Sequence, residues 1–238
     1  MNSKRIRLWD LPTRLFHWLL VLSVSAAIIS AQIGGNLIEW HGKIGLFIVG
    51  LITFRLIWGL LGSTYARFAQ FFPSPARVKD YLRGEWRGVG HNPLGAFSVF
   101  GLLGLLAFQA ISGLFSNDDI TFYGPLFDLV SKDLSNKLTS LHQLASNLVY
   151  GLIALHLAAI AFYGHVKKDN LIKPMITGWK ESEQGESAQG GGLMALIIAL
   201  VIAGAAVYAA SGAWLPPPPP PPPAAETPRA PRPRSSAT

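Results

Sequence analysis

His142 and His156 stand fourteen residues apart in a stretch that carries no charged side chain between them. At ~1.5 Å of rise per residue, a helix would separate them by roughly 21 Å. Fourteen steps of ~100° return to within about 40° of the starting direction, so both imidazoles would leave one face of that helix. Imidazole is a good ligand for iron and other transition metals. An ionisable group inside an apolar span is a candidate for function and needs a partner. One helix would thus offer two ligands at two depths, and other elements must supply the opposing ones.

Those elements are apolar spans. Half of the 238 residues are hydrophobic, only 14% are charged, and the mean hydropathy is +0.34; an ordinary soluble domain is about one quarter charged. Five stretches approach the ~20 residues that a bilayer requires: residues 13–32, 40–61, 93–115, 141–163 and 193–215. Asn92 followed by Pro93 reads as the cap and first-turn proline of the third. The fifth is expected to end against Pro216. The expected class is an all-α membrane protein: a four-helix transmembrane bundle plus a fifth C-terminal transmembrane helix. Residues 1–180 form the core unit, 181–192 a polar, glycine-rich linker, 193–215 the additional helix and 216–238 a proline-rich disordered tail. The first span is read as retained, since Arg14, Phe16, His17 and Trp18 crowd its start.

Basic residues set the orientation. Lys4, Arg5, Arg7 and Arg14 precede or open the first span. Arg67, Arg77, Lys79, Arg83 and Arg87 follow the second, and Lys167, Lys168, Lys173 and Lys180 follow the fourth. Residues 33–39 have no Lys or Arg, and residues 116–140 balance two lysines with four aspartates. The positive-inside rule then places the N-terminus in the cytoplasm and the C-terminus, after five spans, outside.

The other histidines now acquire depths. His41 opens the second span and His142 the fourth, both on the outer side. His17 lies a few residues into the first span, on the inner side with His156. Two depth-matched pairs result, His41 with His142 and His17 with His156, each joining two helices. Two imidazoles on facing helices can ligate one heme iron from both sides, and two such pairs would hold two stacked hemes b. A single histidine near a helix end is ordinarily an interfacial residue; the pairing by depth favours ligation here. His91 and His165 fall in the cytoplasmic segments and read as solvent or headgroup contacts, with a place for His91 beside a heme edge or a quinone as the alternative.

Supporting residues follow. Gly42, Gly45 and Gly151 remove bulk where a flat macrocycle would approach a backbone, though small residues also serve helix packing. Arg55 lies fourteen residues after His41, near the inner pair; it would bind a heme propionate or snorkel to the surface. Arg14 and Lys43 are further candidates for the propionates of the inner and outer hemes. Trp18, Trp40, Trp58 and Tyr163 suit an interfacial aromatic belt.

Several function classes are excluded or weakened. Cysteine is absent, which rules out disulfides, iron–sulfur ligation by thiolate and covalent c-type heme attachment. The net charge of +7 is concentrated beside apolar spans, which fits a membrane rather than nucleic acid. Asp118 and Asp119 read as a solvated acidic patch, or as a docking site for a basic soluble cytochrome. A non-redox transporter or a heme-handling or assembly subunit is the rival reading; a transporter would be expected to show repeats and broken helices.

The run Trp9-Asp10-Leu11-Pro12-Thr13-Arg14-Leu15-Phe16-His17-Trp18 resembles the opening of the prokaryotic cytochrome b561 family, which includes the b-type subunits of nickel–iron hydrogenases. Trp40-His41-Gly42-Lys43-Ile44-Gly45, Gly90-His91-Asn92-Pro93, Leu141-His142-Gln143 and Ala154-Leu155-His156 resemble further segments in the same order, and the likeness spans roughly residues 6 to 180. The resemblance implies four core helices, two bis-histidine hemes b on His17, His41, His142 and His156, and electron transfer involving quinone. The chain would then be the electron-transfer subunit of an oxidoreductase. Its redox partner would be a protein such as a c-type cytochrome or a hydrogenase.

Overall fold

The computed structural model describes residues 4–216. In chain order it contains β1 (Lys4–Arg7), α1 (Leu11–Ile33), α2 (Leu37–Leu61), α3 (Phe68–Phe71), α4 (Pro75–Leu82), α5 (Pro93–Leu114), α6 (Lys132–His165), α7 (Ile172–Thr177), β2 (Trp179–Ser182) and α8 (Gly192–Ala210). Five of these helices are long and apolar enough to cross a membrane. The expected proline tail beyond Pro216 lies outside the described residues.

Short polar side chains start the helices. Asp10 Oδ1 accepts the Thr13 amide at 2.7 Å and begins α1, with Pro12 in the first turn. Asn92 Oδ1 accepts the Gly95 amide at 2.7 Å and begins α5, with Pro93 following as expected. Such caps satisfy amides that have no partner inside the helix. Ser131 caps α6 through the Leu134 amide, and Asp133 lies in the first turn, where negative charge is favoured. For that reason α6 begins nine residues before the expected span at residue 141, and its first two turns are polar rather than loop.

α1, α2 and α5 pack in sequence, and α5 carries α6 along its side. One apolar core joins Phe16 and Val24 of α1, Ile48, Leu51, Ile52 and Phe54 of α2, Leu103 and Leu106 of α5, and Val149 of α6. The close backbone contact of α6 is with α5; it stands off from α1 and α2. His142 of α6 faces His41 of α2 across that interval.

The last span is present but ends earlier than expected. α8 ends at Ala210 rather than at Pro216, and the turn after it uses Gly212 at φ 68°. It is also packed into the bundle. Buried Ala199 and Ala203 belong to the common core, and α8 packs closely along α2. A Cβ on Gly50 of α2 would come within 2.8 Å of the Val207 side chain, so the close approach depends on a small residue.

The segment expected as a linker is likewise tied down. β2 pairs antiparallel with β1, Lys4 opposite Ser182 and Arg7 opposite Trp179. Gly190 bridges to Ser63, and Tyr65 Oη donates to the Glu186 carbonyl at 2.7 Å. Backbone pairing uses main-chain groups that every residue carries, so composition gave no warning of it.

Candidate functional site

At the end of the bundle away from the N-terminus, His41 of α2 meets His142 of α6, with ring centres 6.0 Å apart and planes at 85°. Two imidazoles bound to one metal through nitrogens at ~2 Å each would have ring centres roughly 6 Å apart. The Nδ1 atoms are already engaged: His41 Nδ1 lies 2.9 Å from the Ala27 carbonyl and His142 Nδ1 lies 3.1 Å from Ser112 Oγ. A carbonyl can only accept, so His41 carries its hydrogen on Nδ1, and Nε2 keeps a free lone pair. Gly113 borders this pair, since a Cβ there would come within 3.2 Å of His142 Cε1. Gly42 faces the Phe122 side chain of the following loop instead.

His17 of α1 and His156 of α6 lie toward the N-terminal end. His156 Nδ1 is 3.3 Å from Ser98 Oγ of α5, while His17 Nδ1 is enclosed without a partner. His91, just before α5, places both: burial first, and then Arg55, His17 and His156, hold its imidazole down at about 3. His91 is therefore neutral at ordinary pH. Rather than standing free in solvent, its half-buried ring packs 4.6 Å from Trp9 and 4.5 Å from Phe71. His165 does remain exposed on the last turn of α6, its Nδ1 3.0 Å from the Ala161 carbonyl.

Arg55 is only 3% exposed, which removes snorkelling as an account of it. Its guanidinium lies 4.5 Å above the Phe68 ring, and Nη1 has no hydrogen-bond partner. Asp10 is buried nearby, its Oδ2 accepting Trp58 Nε1 at 3.0 Å. Trp58 is 2% exposed and thus a core anchor of this end rather than part of an interfacial belt; Trp18 and Trp40 are exposed. Tyr163 also turns inward, bonded to Tyr81 Oη and accepting from Asn92 Nδ2 at 2.8 Å. Arg14 donates to the Ile176 carbonyl and so fastens α7. Lys43 pairs with Glu39 at 2.9 Å on an exposed surface.

A heme would require paired ligands, room beside the helices and a cation for its propionates. Among the described residues no group of three or more His, Asp or Glu converges. Histidines converge in pairs, and a pair completes an iron's shell only where another group supplies the equatorial ligands, as a macrocycle does. A Cβ at Gly45 or Gly151 would meet nothing within 4 Å, so both positions leave room beside the helices that carry the histidines. The buried, unpartnered Arg55 Nη1 calls for an anion such as a carboxylate. The residues fit.

A family model described as prokaryotic cytochrome b561 matches residues 8–178. The chain belongs to the prokaryotic cytochrome b561 family. It is therefore a multi-pass membrane protein and a b-type cytochrome acting in electron transfer, with heme b as cofactor. It is similar to the probable Ni/Fe-hydrogenase 1 B-type cytochrome subunit of Escherichia coli strain K12, at 20% identity over 217 residues covering 75% of this chain and 92% of that one. The same subunit from Escherichia coli O157:H7 matches to the same extent. No solved structure matches.

Sequence reasoning did not find Ser98, Ser112, Gly113 or the Ala27 carbonyl. Ser98 and Ser112 left a signal, since they repeat the fourteen-residue interval of the histidines they face. Asp118 proves to be a turn former: the amides of Ile120, Phe122 and Thr121 hold its carboxyl below the usual range.

Proposed function

We propose that this b561-family protein carries two hemes b, with His41 and His142 as axial ligands of one and His17 and His156 of the other. Through them it passes electrons between a redox partner and the quinone pool. The observation that carries the reading is the facing of His41 and His142 at 6.0 Å across two helices. The fourteen-residue interval on α6 repeats that arrangement roughly 21 Å deeper. Heme iron supplies a one-electron couple when bound. The chain's residues do the rest. His41 and His142 engage their Nδ1 atoms and leave Nε2 for a metal, His17 and His156 would ligate in the same way, α2 and α6 leave room at Gly45 and Gly151, and Arg55 offers a buried cation to a propionate. Arg14 and Lys43, engaged with Ile176 and Glu39, would serve propionates only by rearranging.

The quinone reading rests on the cavity beside His91, of about 230 Å³, lined in part by Tyr65, Phe71, Arg77, Trp86 and His91. Aromatic walls with a few polar groups suit a flat carbonyl-bearing ring. The partner is proposed to be a hydrogenase, on the strength of the relatives' name; a c-type cytochrome is the other class. Basic residues at the N-terminal end support a cytoplasmic N-terminus and a periplasmic C-terminus in the bacterial inner membrane.

The test is an optical and hemochrome assay of the purified full-length protein expressed with ample heme. Two low-spin b-type hemes per chain, reduced by a quinol analogue or by hydrogenase with hydrogen, are expected. A colourless preparation, or a ratio of one, overturns the two-heme reading.

A further inference from the structure

α5 and α6 run antiparallel in close contact. On α5, Ser98 and Ser112 are fourteen residues apart; on α6, so are His156 and His142. Equal intervals on antiparallel helices bring two serine–histidine pairs together at two depths, Ser98 Oγ to His156 Nδ1 at 3.3 Å and Ser112 Oγ to His142 Nδ1 at 3.1 Å.

An intramembrane serine needs no such neighbour, because its hydroxyl can donate to a carbonyl of its own helix. Ser112 does so, to Gln109 at 3.2 Å. With its proton directed there, the oxygen presents a lone pair to His142, and Nδ1–H is the donor in that pair. The outcome matches His41, whose Nδ1 faces the Ala27 carbonyl. In each case Nε2 is left bare. Partners of this kind fix a ligating imidazole's tautomer and ring direction and raise its basicity.

We propose that Ser98 and Ser112 are positioning residues that aim the two α6 imidazoles at iron and strengthen them as donors, one serine for each heme. The proposal rests on the bis-histidine reading given above. A stronger donor favours iron(III), so loss of the hydroxyl raises the midpoint potential of the heme concerned. At His142 the Gln109 carbonyl, which already accepts from Ser112 Oγ at 3.2 Å, lies beside the serine and can take over as acceptor. Among the described residues His156 Nδ1 has Ser98 alone. Ser98→Ala is therefore the sharper substitution.

The experiment compares full-length wild type with Ser98→Ala, Ser98→Thr and Ser112→Ala in mild detergent. The readouts are the heme-to-protein ratio, both midpoint potentials and the low-spin ferric electron paramagnetic resonance signals. Expected results are two hemes in every protein and a positive shift of one midpoint in Ser98→Ala with the other unmoved. Ser98→Thr should restore the wild-type value, and Ser112→Ala should shift the other midpoint by a smaller amount. Unchanged potentials and signals in Ser98→Ala, or a Ser98→Thr protein as displaced as Ser98→Ala, overturn the proposal. If Ser98→Ala loses a heme, retention by Ser98→Thr supports it and loss by both overturns it. Fewer than two hemes in the wild type overturns the ligation reading itself, and this is read before any serine is changed.

Discussion

Each imidazole of the proposed ligand set answers to a separate substitution. His156→Ala should lower the heme-to-protein ratio from two to one and leave the heme at His41 and His142 intact; loss of both, or of neither, would contradict the depth pairing. Arg55→Met should lower the midpoint of the heme near His17 and His156. Removing a buried cation stabilises the more positive oxidised iron, and a redox titration that shows a rise or no change would place Arg55 away from that heme. Gly113→Ala would bring a methyl within 3.2 Å of His142 Cε1. The expected result is a perturbed ferric signal of one heme only, with a stability loss of about 1–3 kcal/mol from overpacking.

At the scale of elements, α8 is part of the packed structure although the family match ends at residue 178. Ala199 is fully buried where α8 joins the common core, so Ala199→Leu should force the helices apart. The cost should be about 1–3 kcal/mol, read as a lower thermal midpoint in detergent with heme content unchanged from wild type. Unchanged stability would mean that α8 rests on α2 without close packing. α6 shows why charge misleads about helix ends. Lys132, Asp133 and Lys137 read as loop, yet a serine cap and an acidic first turn make the segment helical.

For the whole molecule, the end that gathers β1, β2, His91 and the loop after α2 is held by buried groups that acid would disturb. An unfolded imidazole titrates near 6.5, whereas His91 is held at about 3 by burial, Arg55, His17 and His156. Between these values the unfolded chain binds the proton and the folded one does not. Stability therefore falls as pH drops through that window, by up to about 1.4 kcal/mol per pH unit for one group, and is unaffected by this group above it. His91→Gln should flatten that slope in thermal unfolding measured from pH 7 to pH 4. An unaltered slope would assign the acid sensitivity elsewhere.

The amino-acid sequence by itself determined the spans, their order and the histidine interval, because hydropathy and helical periodicity are local properties of a chain in an apolar medium. It also carried enough of the family's motifs around His17, His41, His91, His142 and His156 to show the resemblance. Only the tertiary structure decided which groups surround those histidines. That His142 faces Ser112, that His91 is enclosed between Trp9 and Phe71, and that Trp58 is bonded to Asp10 depend on residues far apart in the chain. Side-chain type shows what a residue can bond to. Helix rotation and separation select the partner, and both follow from packing over the whole bundle.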